Sequence, residues 1–472
     1  MPAAEKLFYS VRPWCRVVHW CCSGPFGYRS NQSFCNSNFR RVTSQADEFV
    51  NACAKGQVLF LNRSYWPDLE ATGQLLTDLT ADLSDRFEVT VACGQPNSIN
   101  QAAVQSEWQA LAQHNGVHIR RIQHFAASKS SLVSRMRGFL SFCRNLRKEL
   151  TQLAAPDVCV FQTDPFLLPF EAERLRRRTG CRLVAYLQDI FPDVAIAAGI
   201  TRDNVFCRIL RRRLFSIYRH CDRVIVLSSD MKDLLVAGGV AVEKIAIVRN
   251  WADTSVLRPV GRSEQFRQQH GLGDRFCVMY SGNIGRTQGL SVFVEAAEIL
   301  RDRKDLVFTV VGRGADLPVL KAAVAEKKLT NVVFLDYQPR HLLSESLSAA
   351  DLHWLPFSHK MTRCLMPSKF YGILSAGGCC LSNAAGGSEL HREITENGVG
   401  LTVAEATGHA IAERIGWAMD HVEELEVMRV KARRLAEEKY DRSHSIAAFE
   451  RVLSALVSED RVAQDMTGGM KE

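Results

Sequence analysis

Short apolar runs alternate with stretches of helical period along most of the chain. From Val58, "VLFLN" has the continuous apolar character of a strand buried on both faces. In "PDLEATGQLLTDLTADLSDRF" the leucines Leu75, Leu79 and Leu83 recur along one helical face. "EVTVACG", "VHIRRI", "VCVFQT", "CRLVAYLQD" and "RVIVLS" continue the series, separated by helical segments. The segment "IAIVRNWADTSVLRP" reads as an exit, since its strand runs into Trp251, an Asp and a proline without further period. A second series follows: "FCVMYSG", "LVFTVVG", "VVFLDY", "LHWLPF", "CCLSN" and "GLTV". After residue 405 the pattern is helical, closing with Ile446, Phe449, Leu453 and Leu456. Repeated strand–helix units imply parallel sheets covered on both sides. The expectation is an α/β protein of two doubly wound, Rossmann-like domains, 56–252 and 253–425, facing a cleft. A helical tail at 426–472 packs back on the first domain, and residues 1–55 form a poorly ordered extension. Ligands of such sheets bind beyond the carboxyl ends of the strands.

Composition narrows the class. The 472 residues are 46% hydrophobic and 23% charged, as in ordinary soluble domains, with no apolar run of membrane-spanning length. Fifteen cysteines are scattered without CxxC pairs and read as small buried hydrophobes in a reducing cytosol. The opening "MPAAEKLFYSVRPWCRVVHWCC" resembles a secretory signal only superficially, because Arg16 and His19 interrupt its apolar part. A start codon assigned too far upstream is the competing reading of this extension. The net charge of +8 is unevenly placed: six cations and no acid lie between Lys129 and Lys148, and seven arginines against two acids lie between Arg202 and Arg223. In the second stretch Phe206, Ile209, Leu210, Leu214, Ile217 and Tyr218 interleave with the basic residues. Such a segment is either a solvated face or a contact for an anionic membrane surface. No nucleic-acid-binding signature accompanies it, so nucleic acid is not expected as a partner.

Candidate chemistry concentrates in four turns of the second series. "CVMYSGNIGRTQGLSVFVEAAEIL" places Gly282, Gly285, Gly289 and Arg286 between a strand and a helix start. "VVGRGADLPVL" supplies Gly312, Arg313 and Gly314, "MPSKFYGILSAGGCC" supplies Lys369, and "AAGGSELHREI" supplies Ser388 and Glu389. Glycine turns that feed helices expose unpaired N–H groups at the positive end of the helix dipole. With three cations and an acidic acceptor for hydroxyls, they suit a nucleoside diphosphate. The spacing of Gly282, Gly285 and Gly289 departs from G-x-G-x-x-G, and no GxxxxGK[ST] occurs, which disfavours a dinucleotide enzyme and a P-loop NTPase.

The segments "NRSYWPDLEATGQLLTDLTADL", "YLQDIFPDVAIAAG", "VRNWAD", "YSGNIGRTQGL", "DYQPRHLLSESLSAADLHWLPF" and "PSKFYGILSAGG" together resemble the GT-B fold, sugar-nucleotide-dependent glycosyltransferases of the large group 1/4 type. The branch most similar is the bacterial fucosyl- and N-acetylfucosaminyl-transferase type of colanic-acid and O-antigen synthesis. The resemblance implies a C-terminal domain that holds a nucleotide sugar through Gly282, Asn283, Gly285, Arg286, Gln288, Arg313, Lys369, Ser388 and Glu389. It implies an N-terminal domain that presents the acceptor. Gly73 would let the loop over the cleft approach the donor phosphates. Asp189, at a strand end, is the candidate catalytic or acceptor-orienting carboxylate, with a turn-capping role as its alternative. The two glutamates of many relatives, spaced E-x7-E, fall here on Cys364 and Gly372. No Asp-x-Asp triplet occurs, so the implied reaction uses no metal and no cofactor besides the donor, with retention by analogy. The implied acceptor is a lipid-linked saccharide at the cytoplasmic face of the membrane, in bacterial surface polysaccharide synthesis. Other readings are a sugar-nucleotide epimerase or phosphorylase on the same architecture, a non-catalytic sugar-nucleotide-binding subunit, and a nicotinamide oxidoreductase.

Overall fold

The computed structural model describes residues 55–68, 70–96, 112–125 and 132–468. The expected extension, apart from Lys55, and the start of the basic stretch at Lys129 lie outside the described residues. The first series of strands comprises β1 (Gly56–Leu61), β2 (Phe87–Gly94), β3 (Gln113–His114), β4 (Val117–Ile122), β5 (Val158–Phe161), β6 (Arg182–Tyr186), β7 (Arg223–Val226) and β8 (Ile245–Ile247). They form one sheet in the order β3-β4-β2-β1-β5-β6-β7-β8, parallel except at the β3–β4 pair. The second series comprises β9 (Phe276–Ser281), β10 (Leu306–Val311), β11 (Val332–Leu335), β12 (Leu352–Leu355), β13 (Cys380–Ser382) and β14 (Gly400–Thr402). It forms an all-parallel sheet in the order β11-β10-β9-β12-β13-β14. Central strands are buried along their whole length, as in β5 and β10, because crossover helices cover both faces. Within β10 the single hydroxyl, Thr309, is satisfied at 3.3 Å by the thiol of Cys277. The ten described cysteines are all buried free thiols.

Apart from the β3–β4 hairpin, each strand order reverses once. In the first sheet the reversal falls between β1 and β5, and in the second between β9 and β12. The loops leaving such neighbouring strands diverge to opposite faces and leave a crevice at the carboxyl ends. The fold therefore marks two places for ligands before any side chain is considered.

The helix Ala71–Leu83 buries Gly73, Leu76, Leu79, Thr80 and Leu83, while Leu75 is only half-buried. The apolar face is thus rotated one position from the Leu75–Leu79–Leu83 stripe. Tyr65 fixes that rotation by pairing its hydroxyl with Thr80 at 2.9 Å.

The core of the first sheet continues into the second half of the chain through the helix Lys369–Ser375, whose Phe370 and Tyr371 pack edge-on against Tyr440 at 5.9 and 5.0 Å. The expected boundary at 425/426 falls inside one continuous helix, Val422–Lys439. The break comes at Tyr440–Asp441, where Asp441 accepts bonds from Thr254 and Ser443. These bonds hold its carboxyl down at about 2 against the opposing effect of partial burial. The last helix, Arg442–Gly468, then lies on the first sheet. Arg442 pairs with Asp82 at 2.7 Å, and Phe449 packs on Phe60 and Tyr186. Burying a side chain such as Phe449 contributes about 2–3 kcal/mol.

Candidate active site

At the reversal of the second sheet, the loop after β9 lies against the loop after β10. Gly282 N–H donates to Val311 at 2.9 Å, Ile284 N–H to Arg313 at 2.9 Å, and Asp316 N–H to the carbonyl of Ile284 at 3.0 Å. Such an approach leaves no room for side chains. A Cβ on Gly312 would sit 2.0 Å from the Gly282 carbonyl oxygen, and one on Gly314 2.1 Å from that of Ile284. Gly282 and Gly312 also have φ of 140° and 137°, which L side chains rarely adopt. These glycines hold one loop to the other. The amide of Gly282 is therefore taken up within the protein, whereas those of Asn283 and Gly285 carry no bond among the described residues.

Beside this loop runs a groove of about 510 Å³, lined by Arg286, Gln288, Ser291, Phe357, Lys360 and Asn383 among others. The helix Ser291–Ile299 begins at the groove without a side-chain cap, with Ser291 and Val292 among the lining residues. Arg286 is exposed and makes no ion pair among the described residues. Lys369 differs. Its Nζ lies 2.5 Å from the Tyr280 hydroxyl, 3.3 Å from Gln288 Oε1 and 4.1 Å from the centre of the Tyr280 ring. Burial pushes this amine down to about 7. Its stem presses on the loop: a Cβ at Gly282 would meet Lys369 Cε at 2.3 Å.

At the reversal of the first sheet, the loops after β1 and β5 are joined by Arg63 and Asp164, paired through two contacts at 3.1 and 3.0 Å. Burial pushes the Asp164 carboxyl up, opposed by Arg63. Arg63 also lies over the Phe139 ring at 5.6 Å. Nearby, His124 and Arg63 close on Gly94, where a Cβ would fall 2.7 Å from His124 Nε2. Asp189 follows β6. Its Oδ1 is buried without a hydrogen-bond partner. Burial, partly opposed by the Thr163 hydroxyl and reinforced by Asp164, pushes its carboxyl up to about 6. The Asp189 backbone pairs antiparallel with Leu365, and Ile190 N–H donates to Cys364 at 2.9 Å. This bridge ties the Asp189 loop to the segment that leads into Lys369.

Four expected site residues have other partners. Gly73 is buried, and the group that approaches it is the Ser64 hydroxyl, 2.7 Å from a Cβ placed there, so its lack of a side chain serves the loop over the helix. Ser388 caps the helix Glu389–Glu396 by accepting from His391 N–H at 3.2 Å. Glu389, expected to accept donor hydroxyls, has both oxygens engaged. Oε2 accepts from Ser229 N–H at 2.5 Å, and Oε1 accepts from Arg249 Nε at 2.9 Å. In return, Asp230 accepts from Glu389 N–H at 2.9 Å. The helices Ser229–Ala237 and Glu389–Glu396 thus point their positive ends at each other, and each supplies the acid that neutralises its opposite. Arg313 is exposed and pairs with Asp336 at 3.4 Å. Tyr280, Arg63, Asp164, Arg249 and Asp230 went unmarked in the sequence reading. A larger groove, about 830 Å³, lies between the helices Leu168–Thr179 and Val205–His220 and includes Arg176, Arg213 and His220. It opens at the amino ends of β6 and β7, opposite the crevices.

Two parallel sheets, each with a crevice at its reversal, joined so that the segments beside those crevices touch, define the GT-B class of fold. Residues 72–256 match the family model of Glycosyltransferase Family 4, and residues 262–435 match that of Glycosyl transferases group 1. The chain belongs to the GT-B glycosyltransferases. It is 26% identical to the glycosyltransferase WbjE of Pseudomonas aeruginosa over 310 residues, 65% of this chain and 76% of that one. It is 27% identical over 282 residues to WcaI of Escherichia coli K12, named as a colanic acid biosynthesis glycosyl transferase, covering 58% and 68% of the two chains. In fold it is similar to Anabaena HepE, whose structure was determined with UDP-glucose, with a TM-score of 0.65 and 14% identity over 84% of this chain and 99% of that one.

Proposed function

We propose that the chain transfers a glycosyl group from a nucleoside-diphosphate sugar to a hydroxyl of a lipid-linked saccharide, in the assembly of a bacterial surface polysaccharide. The observation that carries this reading is the groove at the β9/β12 reversal, where an unpaired Arg286, an uncapped helix start and the adjoining Lys369 converge. Breaking the bond from the anomeric carbon to the diphosphate places charge on the leaving oxygen. Groups already fixed around that oxygen stabilise the transition state more than the ground state. Arg286, Lys369 and the N–H groups of Asn283, Gly285 and the helix start take this part, so the proposed reaction needs neither metal nor cofactor. Retention is proposed by analogy with the family. The acceptor enters from the β1/β5 crevice, where Asp189 is the carboxylate placed to orient its hydroxyl. UDP is the first nucleotide to try, since HepE was determined with UDP-glucose. The polysaccharide assignment follows the name of WcaI.

The protein is proposed to work at the cytoplasmic membrane face. The helix Val205–His220 buries Leu214, Phe215, Ile217 and Tyr218, but leaves Val205, Phe206 and Ile209 exposed at 70%, 68% and 56%. Because it connects two parallel strands, its amino end lies at the crevice end of the sheet. Apolar side chains interleaved with Arg202, Arg208 and Arg212 suit an anionic bilayer surface. No helix of the described residues is long and apolar enough to cross a membrane.

The test is transfer from a panel of labelled UDP- and GDP-sugars to bacterial lipid extract, with and without EDTA. A labelled glycolipid formed equally in EDTA supports the reading. Hydrolysis or epimerisation of the donor with no transfer to any extract counts against it. Cosedimentation with anionic vesicles tests the membrane contact, which fails if no protein pellets at low salt.

A further inference from the structure

One cation beside the donor groove, reached through Gln288, has an unusual setting. Lys369 opens a helix and is half-buried, yet no carboxylate acts on it among the described residues. Its hydrogen-bond partners are neutral: the Tyr280 hydroxyl at 2.5 Å and Gln288 Oε1 at 3.3 Å. The Tyr280 hydroxyl donates its own proton to the Asn283 carbonyl at 2.6 Å, so a lone pair is left to face the amine. Gly282 packs against one side of the lysine stem, where an added Cβ would meet Cε at 2.3 Å.

We propose that Lys369, packed among neutral groups with no counter-ion, rests as an uncharged amine in the empty donor site and takes up one proton as the diphosphate of the donor enters. The inference rests on the donor-site reading above and adds a proton to the binding step. The proton passes from buffer to the Nζ lone pair. The resulting ammonium faces phosphate oxygens whose charge replaces the missing counter-ion.

The surroundings set the direction. A buried amine without an opposite charge is destabilised in its protonated form, while a phosphate within reach restores that form. The face of the Tyr280 ring favours the cation and offsets part of the burial effect. Among the described residues no titrating group other than Tyr280 bonds to the amine; His359, Lys360 and Glu405 line the groove beyond it, and any proton they exchange is common to the wild-type protein and Lys369→Arg. The Tyr280 hydroxyl is held above its ordinary range by burial and stays protonated. Gln288 and Asn283 are neutral. Arg286, on the turn that carries Gln288, is exposed. Tyr371, on the lysine's own helix, packs toward Tyr440. The amine sits near about 7 when the site is empty, so it is mostly neutral at about pH 8 and mostly charged at about pH 6.

The experiment is titration calorimetry of the full-length protein with UDP and with GDP, in HEPES and in Tris, whose ionisation enthalpies differ. At about pH 8 the heats in the two buffers are expected to differ by about one proton taken up per nucleotide bound. At about pH 6 that difference shrinks to a small fraction. The dissociation constant is expected to rise by up to about tenfold per pH unit above the empty-site value. Lys369→Arg, charged throughout, should bind with no proton uptake and a flat pH profile. Lys369→Met should bind more weakly, also without uptake. Equal heats in both buffers for the wild-type protein at about pH 8 would overturn the inference alone. Absence of binding by both nucleotides overturns the donor-site reading, and the inference with it.

Discussion

Replacing Glu389 by Gln separates two accounts of this residue by measurement. Its carboxylate is only 4% exposed and accepts a backbone bond from Ser229 and two contacts from Arg249, all at 2.5–2.9 Å. Gln keeps one oxygen, enough for Ser229 N–H, but turns an NH2 group toward the guanidinium. Breaking a buried ion pair costs about 3–5 kcal/mol. Arg249 keeps 28% of its side chain in water, which lowers the cost to about 2–3 kcal/mol. The half-exposed Arg340–Asp78 pair, with oxygens at 3.2 and 2.7 Å, is an internal control, since such pairs contribute below about 1 kcal/mol. Denaturant midpoints of E389Q and R340A should therefore fall by clearly different amounts, while UDP affinity of E389Q changes less than about threefold. An unmoved midpoint together with a tenfold loss of UDP affinity would refute the reasoning and return Glu389 to the donor.

Further outcomes are open to measurement. The Asp189 carboxyl, raised to about 6 from an ordinary value of about 3.9, retains a proton in the folded state that the unfolded chain releases. Stability therefore falls as pH rises between those values. Asp189→Asn should stabilise by about 2 kcal/mol at pH 8 and hardly at all near pH 4, while losing transferase activity; equal gains at both pH values would contradict the burial argument. Gly312→Ala drives a Cβ into the Gly282 carbonyl at positive φ, so urea denaturation should show a loss of about 2 kcal/mol or more, and a neutral result would refute the claimed close approach. Arg286→Ala should leave stability within about 0.5 kcal/mol and weaken UDP binding by about 1.5–3 kcal/mol in calorimetry, an effect that must be absent if this arginine faces only solvent.

The strands were legible because strands of a doubly covered parallel sheet are unbroken apolar runs between turns, as "LVFTVV" and "VCVF" are. The two-residue β3 was not, since so short a pair has no period. The stripe on the first helix was read one residue out of phase because Leu75 and Leu76 are equally apolar, and only the Tyr65–Thr80 bond decides between them. The glycine turn at 282–289 was legible as a turn. That Gly282 and Gly312 serve each other depends on strands brought together by the fold. Glu389 shows the same limit, because its partners lie 140 and 160 residues away, where no local pattern reaches. Lys369 at a helix start reads as a cation for the donor phosphates, with nothing local to mark its contact with Tyr280. Its burial follows from Tyr280, which on sequence is only the end of an apolar strand.

The seating of Phe449 on Phe60 and Tyr186, with Val457 against Gly56, has a consequence for biogenesis. The earliest-made strand of the sheet is covered by a helix encoded only after the whole second sheet. During synthesis that sheet waits with an apolar flank open while the whole second half is translated. A frameshift just upstream of that helix therefore damages the sheet encoded first.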